Sequence, residues 1–320
     1  MRAAHAGGDI SLRPSSGTAS DRSLSDTAPD RSSSATTPTR LPLATVPLRL
    51  SSLIIGVLAR AAALITASAL VVIVGYILAM GIPALGPGMF ALTYTSENSS
   101  LLPALVNTLV AVVITLAIAV PTGVMSAIFL VEYQRRGSRF VRVVRLAAET
   151  LTGIPSIVYG LFGMLFFVSF LGWGLSLISG CMTLAVMVLP TVMRTTEEAL
   201  IAVPDSYREG SFGLGAGRLR TVFKVVLPSA APGILGGVIL SMGRIIGESA
   251  ALIFTAGTVA QVPSSLLGSA RTMAVHMYVL ASEGLHIDAA YATAVVLLVL
   301  SLAVNALASL VARRLVREGV

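Results

Sequence analysis

Residues 202–228 read Ala202-Val203-Pro204-Asp205-Ser206-Tyr207-Arg208-Glu209-Gly210-Ser211-Phe212-Gly213-Leu214-Gly215-Ala216-Gly217-Arg218-Leu219-Arg220-Thr221-Val222-Phe223-Lys224-Val225-Val226-Leu227-Pro228. The stretch is polar, rich in glycine and basic, and it lies between two long apolar runs. Ser206 with Glu209 three residues later has the form of a capping box, which predicts the start of a short helix. Glycines 213, 215 and 217 end that helix in a turn. A second short helix is expected over Arg218–Val226, and Pro228 suits the first turn of the helix after it. The whole connection, 194–228, is long for a link between apolar helices, and insertions of this length usually carry function. The local reading is a helix–turn–helix loop.

Outward from the loop, the chain is apolar. Of its 320 residues 55% are hydrophobic and 12% charged, with a mean hydropathy of +0.88. A soluble domain carries about 25% charged residues, so this composition excludes a cytosolic enzyme, a disulfide scaffold and a disordered protein. Crossing about 30 Å of hydrocarbon takes about 20 apolar residues in a helix. Runs of that kind occupy 53–80, 102–131, 148–170, 174–193, 230–256 and 290–311. The fold expected is all-α: a polytopic membrane protein of about six transmembrane helices with a helix–turn–helix loop on one side.

The basic residues orient it. With six alternating spans, all of the 22 lysines and arginines except Arg244 and Arg271 fall on the side that carries both termini, 132–145 and 194–228. Positive loops stay inside, so the loop and both termini are expected in the cytoplasm, and the chain in a bacterial plasma (inner) membrane. Residues 1–47 are dominated by Ser, Thr, Pro, Asp and Arg and bury too little to offset their ordering entropy. They are expected to form a disordered cytoplasmic tail before a membrane domain over 48–320. The net charge of +7 follows this topology and does not call for nucleic acid.

Glu209, two small residues (Gly210, Ser211), three residues, Gly215, nine residues, Val225, one residue and Leu227-Pro228 resemble the "EAA" loop of ABC importer permeases, whose pattern is Glu-Ala-Ala, three residues, Gly, nine residues, Ile, one residue, Leu-Pro. Every spacing holds. The resemblance implies that Ser206, Tyr207, Arg208, Glu209, Gly210, Ser211 and Gly215 form a coupling helix that docks on an ATPase subunit. Small side chains at 210 and 211 would admit close approach, and Gly215 a backbone reversal. The rival reading is an ordinary amphipathic interfacial helix, which has no use for the distal Leu-Pro spacing.

Arg244 and Glu248 fall inside the 230–256 run, four residues apart and so on one face of a continuous helix. A charge at membrane depth is costly and marks a functional site by default. The guanidinium fork suits a tetrahedral oxyanion, and Glu248 can accept from a protonated phosphate oxygen but repels a fully ionised sulfate. The alternative is that the two side chains neutralise one another. Residues 153–162, Gly-Ile-Pro-Ser-Ile-Val-Tyr-Gly-Leu-Phe, and 244–256, Arg-Ile-Ile-Gly-Glu-Ser-Ala-Ala-Leu-Ile-Phe-Thr-Ala, resemble segments of the phosphate-specific ABC permeases, the second being closer to the PstA-type subunit. Ser249, Ala251 and Ile253 depart from that pattern. The resemblance, over about 50–320, implies a permease subunit of a phosphate importer with Arg244, Glu248, Pro155 and Ser156 along the substrate path. It also implies as partners a PstC-like permease, two PstB-like ATPases that hold ATP and Mg, and a PstS-like binding protein.

No phosphate-binding loop of the Gly-x-x-x-x-Gly-Lys-Ser/Thr form occurs in the sequence, so no cofactor is expected in this chain, and it is read as a transport subunit rather than an enzyme. His276 and His286 lie ten residues apart without further His or Cys nearby, so no metal site is expected; Arg271, His276, Tyr278, Glu283 and His286 are assigned to an outer loop, 257–289, that gates and docks the binding protein. Cys181 reads as a buried thiol. The alternatives are a sulfate or molybdate ABC permease and an ion-coupled secondary transporter.

Overall fold

A computed structural model of the chain describes residues 50–95, 97–134 and 137–318. The tail expected over 1–47 lies outside these residues. Helix α1 spans Leu50–Gly81, and α2 spans Leu102–Ile128 and closes in a π turn, Phe129–Tyr133. Next come α3 (Arg139–Thr152), α4 (Ser156–Gly163, continued as a π helix over Met164–Phe170) and α5 (Leu177–Ile201). The short α6 covers Asp205–Gly213. Then α7 (Arg218–Thr221), a π turn (Val222–Val226) and α8 (Leu227–Gly247) form one run, followed by α9 (Ala250–Ile253), α10 (Met273–Glu283) and α11 (Ile287–Glu318). No strand occurs among the described residues.

Five runs among the described residues are long and apolar enough to cross a bilayer: 53–81, 102–133, 177–201, 218–247 and 287–314. A sixth crossing arises when α3 and α4 with its continuation are counted as one broken span. The span expected over 148–170, with hydrogen bonding broken locally at Pro155, is more than kinked: α3 and α4 meet at 102°. Pro155 has no N–H to offer the Leu151 carbonyl and disfavours helical geometry at Ile154. Two donors restore what is lost, the Tyr159 hydroxyl at 2.7 Å and the Ile154 N–H at 3.1 Å. Residues 156–170 alone reach roughly 22 Å, while α3 is amphipathic, burying Val141 and Ala148 and exposing Arg139, Arg142 and Arg145.

A second correction concerns the loop. α5 continues to Ile201 without stopping at Pro190, and the helix expected to begin at Pro228 is already formed at Arg218. Only 202–217 separate the two, well short of 194–228. Leu200 at the end of α5 packs in one buried cluster with Val222 and Val226, and this contact draws both helices past the boundaries that local sequence suggests.

α2 and α5 form the most extensive helix pair, with α8 against α5 next. Their buried side chains Val112, Leu116, Leu184, Val188, Ile245 and Ile246 share a core with Tyr159 of α4 and Leu252 of α9. α4 comes close to α9 because residue 160 is glycine: a Cβ there would stand 2.9 Å from the Ala251 Cα and 3.2 Å from two carbonyl oxygens. By contrast, none of the apolar window of α1 is buried, and hardly any of that of α11. Apolar surface on that scale belongs against lipid or another subunit.

Candidate functional site

The sequence marks two places, the end of α8 and the elbow around α6. At the first, Arg244 lies in the last turn of α8, half-buried. The helix ends at Gly247, and Glu248 takes up extended geometry (φ −77, ψ 125). Its carboxylate turns forward, Oε1 accepting from the Ala251 N–H at 3.1 Å. Glu248 thus caps α9, an anion at a helix N-terminus where the free N–H groups favour it. The expectation that Arg244 and Glu248 share a helical face does not hold, and no ion pair joins them among the described residues. Gly247 lets the chain leave the helix, and the carboxylate finds a main-chain donor in place of the guanidinium.

α4 packs on α9 through Gly160, which brings the break at Pro155 to the same region. Pro155 is exposed and Ser156 half-buried. Tyr159, buried at 4%, lies within electrostatic reach of Arg244. Sequence reasoning passed over Tyr159. The signal was its place four residues beyond Pro155 and eight beyond Leu151, the carbonyl that the proline leaves without its helical donor.

At the elbow, α6 begins two residues earlier than the expected cap at Ser206 would place it. Pro204 precedes it, and no side chain caps it, so the capping box of Ser206 and Glu209 does not form. Both residues are exposed, as are Tyr207 and Gly210. Nothing lies within 4 Å of a Cβ placed on Gly210, so no contact within this chain requires a small residue there. Gly215 does have an internal reason: its φ is +82, and the reversal it makes lets Ala216 N–H reach the Ser211 carbonyl at 3.1 Å. The Ser211 hydroxyl meets that of Thr221 at 2.9 Å, tying α6 to α7.

Arg208 departs from the expectation of an outward-facing docking residue. Its side chain is only 14% exposed and pairs with Glu132, itself 9% exposed. Other charges near the elbow are also paired. Arg145 bonds Glu197, and Arg194 stands 3.3 Å from Glu198 and 3.7 Å from Glu149. A cavity of about 1000 Å³ opens beside the elbow, lined by Glu132, Tyr133, Arg145, Arg208, Phe212 and Arg218 among others.

The segment 257–289 is less loop-like than expected. Arg271 and His276 are buried, at 7% and 0% exposure. His276 belongs to α10, and the Arg271 guanidinium lies 4.9 Å from the centre of the Tyr94 ring. Tyr278 and Glu283 remain at the surface.

The chain belongs to the family of binding-protein-dependent transport system inner membrane components, whose sequence pattern matches residues 119–317. Within it, the chain is 38% identical over 198 residues to the probable ABC transporter permease protein YqgI of Bacillus subtilis (strain 168), covering 58% of this chain and 67% of that one. It is 41% identical over 154 residues to the phosphate transport system permease protein PstA of Mycobacterium leprae (strain TN), covering 48% and 50%. The chain thus spans about half to two-thirds of the length of such relatives. Among solved structures, the fold is similar to a chain of a bacterial alginate ABC transporter (TM-score 0.61, 16% identity, 85% of this chain and 100% of that one). It is also similar to a chain of the MetNI methionine ABC transporter in inward-facing form (TM-score 0.52, 23% identity, 68% and 93%). Those two likenesses concern the fold alone.

Proposed function

We propose that this chain is one of two membrane subunits of an ATP-driven importer of inorganic phosphate, set in a bacterial inner membrane with both termini in the cytoplasm. A second PstC-like permease would complete the pathway, two PstB-like ATPases would bind ATP and Mg below it, and a PstS-like binding protein would deliver phosphate from outside. This chain's part is transport, with hydrolysis left to the ATPases. The asymmetry of the basic residues supports the orientation, and the PstA relatives support phosphate as the substrate.

The observation that carries the coupling role is the surface of α6. The helix buries none of its residues, while Tyr207, Phe212 and Leu214 are 53%, 46% and 90% exposed. An ordered helix presenting aromatics, Glu209 and a bare Gly210 to the outside has the surface that a partner's groove takes up. Closure of the ATPases would displace α6 and rock the bundle, switching access to the region around Arg244, the break at Pro155 and Ser156, and the capped α9. There the half-buried guanidinium would hold the phosphate, and the Glu248 oxygen not engaged by Ala251 would accept from its remaining proton.

The test is paired uptake of radiolabelled phosphate and sulfate by vesicles holding the whole complex. Phosphate is expected to be taken up and sulfate excluded; preference for sulfate or molybdate would replace the substrate assignment. Arg244→Gln is expected to abolish uptake while the subunits still co-purify, and undiminished uptake would reduce Arg244 to a packing role. Glu209→Lys is expected to lose the ATPase from the purified complex.

A further inference from the structure

Since α6 has no buried apolar anchor, its hold on the bundle is polar, and it centres on one side chain. Arg208 Nε and Nη2 both donate to Glu132 Oε1, at 3.1 and 2.8 Å. Nη2 also donates to the Leu200 carbonyl at 2.9 Å, and Nη1 to the Val203 carbonyl at 2.8 Å and Asp205 Oδ1 at 3.2 Å. Leu200 lies in the last turn of α5 and Val203 in the link just after it, whereas Glu132 sits in the π turn that closes α2. A second contact reaches the same turn, the Arg218 guanidinium lying 5.6 Å from the centre of the Tyr133 ring.

Along the chain, α6 is joined to α5 and to α7–α8, so any displacement reaches those helices directly. α2 has no such link, since Glu132 and Arg208 are 76 residues apart. Yet α2 makes the most extensive packing with α5, so a movement that left α2 behind would shear that interface.

We propose that the Arg208–Glu132 pair is the tie that makes α2 move with the elbow, and that Arg208 is a positioning residue for coupling rather than a contact for the ATPase. The proposal rests on the reading of α6 as the ATPase-docking helix. A largely buried ion pair suits such a tie because separating it strands a charge out of water. The guanidinium fork adds direction, since it meets the Glu132 carboxylate and the Leu200 carbonyl of α5 at once in a fixed plane. With the tie loosened, α6 pivots on the turns at Pro204 and Gly215, and part of each ATPase stroke is lost as rotation of the elbow.

The experiment measures phosphate imported per ATP hydrolysed in proteoliposomes holding the complete complex, with the ratio taken on assembled complex only. Glu132→Gln keeps the shape and an acceptor oxygen but removes the charge. It is expected to leave ATP hydrolysis near the wild-type rate while the ratio falls about tenfold, within the usual range of coupling between sites. Arg208→Lys keeps the charge without the fork and is expected to lower the ratio less, and Glu132→Asp, which keeps the carboxylate, is expected to retain more of it than Glu132→Gln. A merely structural role would lower uptake and hydrolysis together, so an unchanged ratio in both Glu132→Gln and Arg208→Lys overturns the proposal. A wild-type complex that hydrolyses no ATP, or imports nothing when it does, overturns the functional reading itself and this inference with it.

Discussion

The elbow around α6 and the segment 257–283 (the cap, which packs beside Tyr94) each enclose an arginine, by opposite means. Arg208 is met by two carboxylates, Glu132 and Asp205, and by two carbonyls. Arg271, buried more deeply, has no carboxylate partner among the described residues. Its charge rests on the face of Tyr94 at 4.9 Å and on His276, whose Nδ1 lies 3.2 Å from Nη1, while its Nε has no hydrogen-bond partner. Because the guanidinium only donates, His276 must accept at Nδ1 and so stay neutral. Burial, and then the charge of Arg271, lower its pKa to about 4. The elbow therefore depends on discrete acceptors around one guanidinium, of which Glu132 is the buried one, whereas the cap depends on a diffuse field and a protonation state.

That contrast can be broken most forcefully at the elbow. Glu132→Ala removes the buried carboxylate and leaves Arg208 with Asp205 and the two carbonyls, and it is expected to cost up to roughly 3 kcal/mol, the low end for a broken buried pair, read as a lower unfolding midpoint of the solubilised protein. A loss below 1 kcal/mol would make the pair incidental. Next comes the pH response of the cap. The folded His276 has a pKa of about 4 against about 6.5 when unfolded, so the unfolded chain takes up the proton first. Stability is whole above about pH 6.5, falls as pH drops toward 4 and then levels off, with an upper limit of about 3 kcal/mol. Hydrogen exchange at pH 7 and 4.5 should show 257–283 loosening while the elbow holds; an even response across the chain would erase the distinction. The smallest effect is Tyr94→Leu, expected to cost about 0.5–2 kcal/mol through the lost cation–ring contact and to leave the elbow unmoved.

Much of this was legible in the sequence where the physics is local. Apolar runs long enough for a bilayer located the spans, and the spacing from Glu209 to Pro228 located the elbow and its reversal at Gly215. Where two distant segments settle the outcome, local reading failed. Leu200 shares one buried cluster with Val222 and Val226, and that packing carries two helices beyond their local signals. Glu248 had two suitors, Arg244 one turn back and the N–H of Ala251 ahead, and periodicity considers only the first. Pro155 announced a break but not a 102° bend, which depends on α4 seating against α9 at Gly160. The partners of Arg208 and Arg271, Glu132 and Tyr94, lie too far along the chain for any spacing rule, so one arginine was assigned to a docking face and the other to a loop.

The π turn at Phe129–Tyr133 closes on the Gln134 N–H reaching back five residues to the Phe129 carbonyl, at 3.2 Å. A wide turn of this kind accommodates one residue more than an α-turn. Shortening it by a single residue would swing whatever follows by about 100° around the axis, aiming the Glu132 carboxylate away from α6 while Leu102–Ile128 kept its seat. The azimuth of one acidic group, set by a local miscount in the spiral, thus decides whether the second crossing is harnessed to the elbow or left idle.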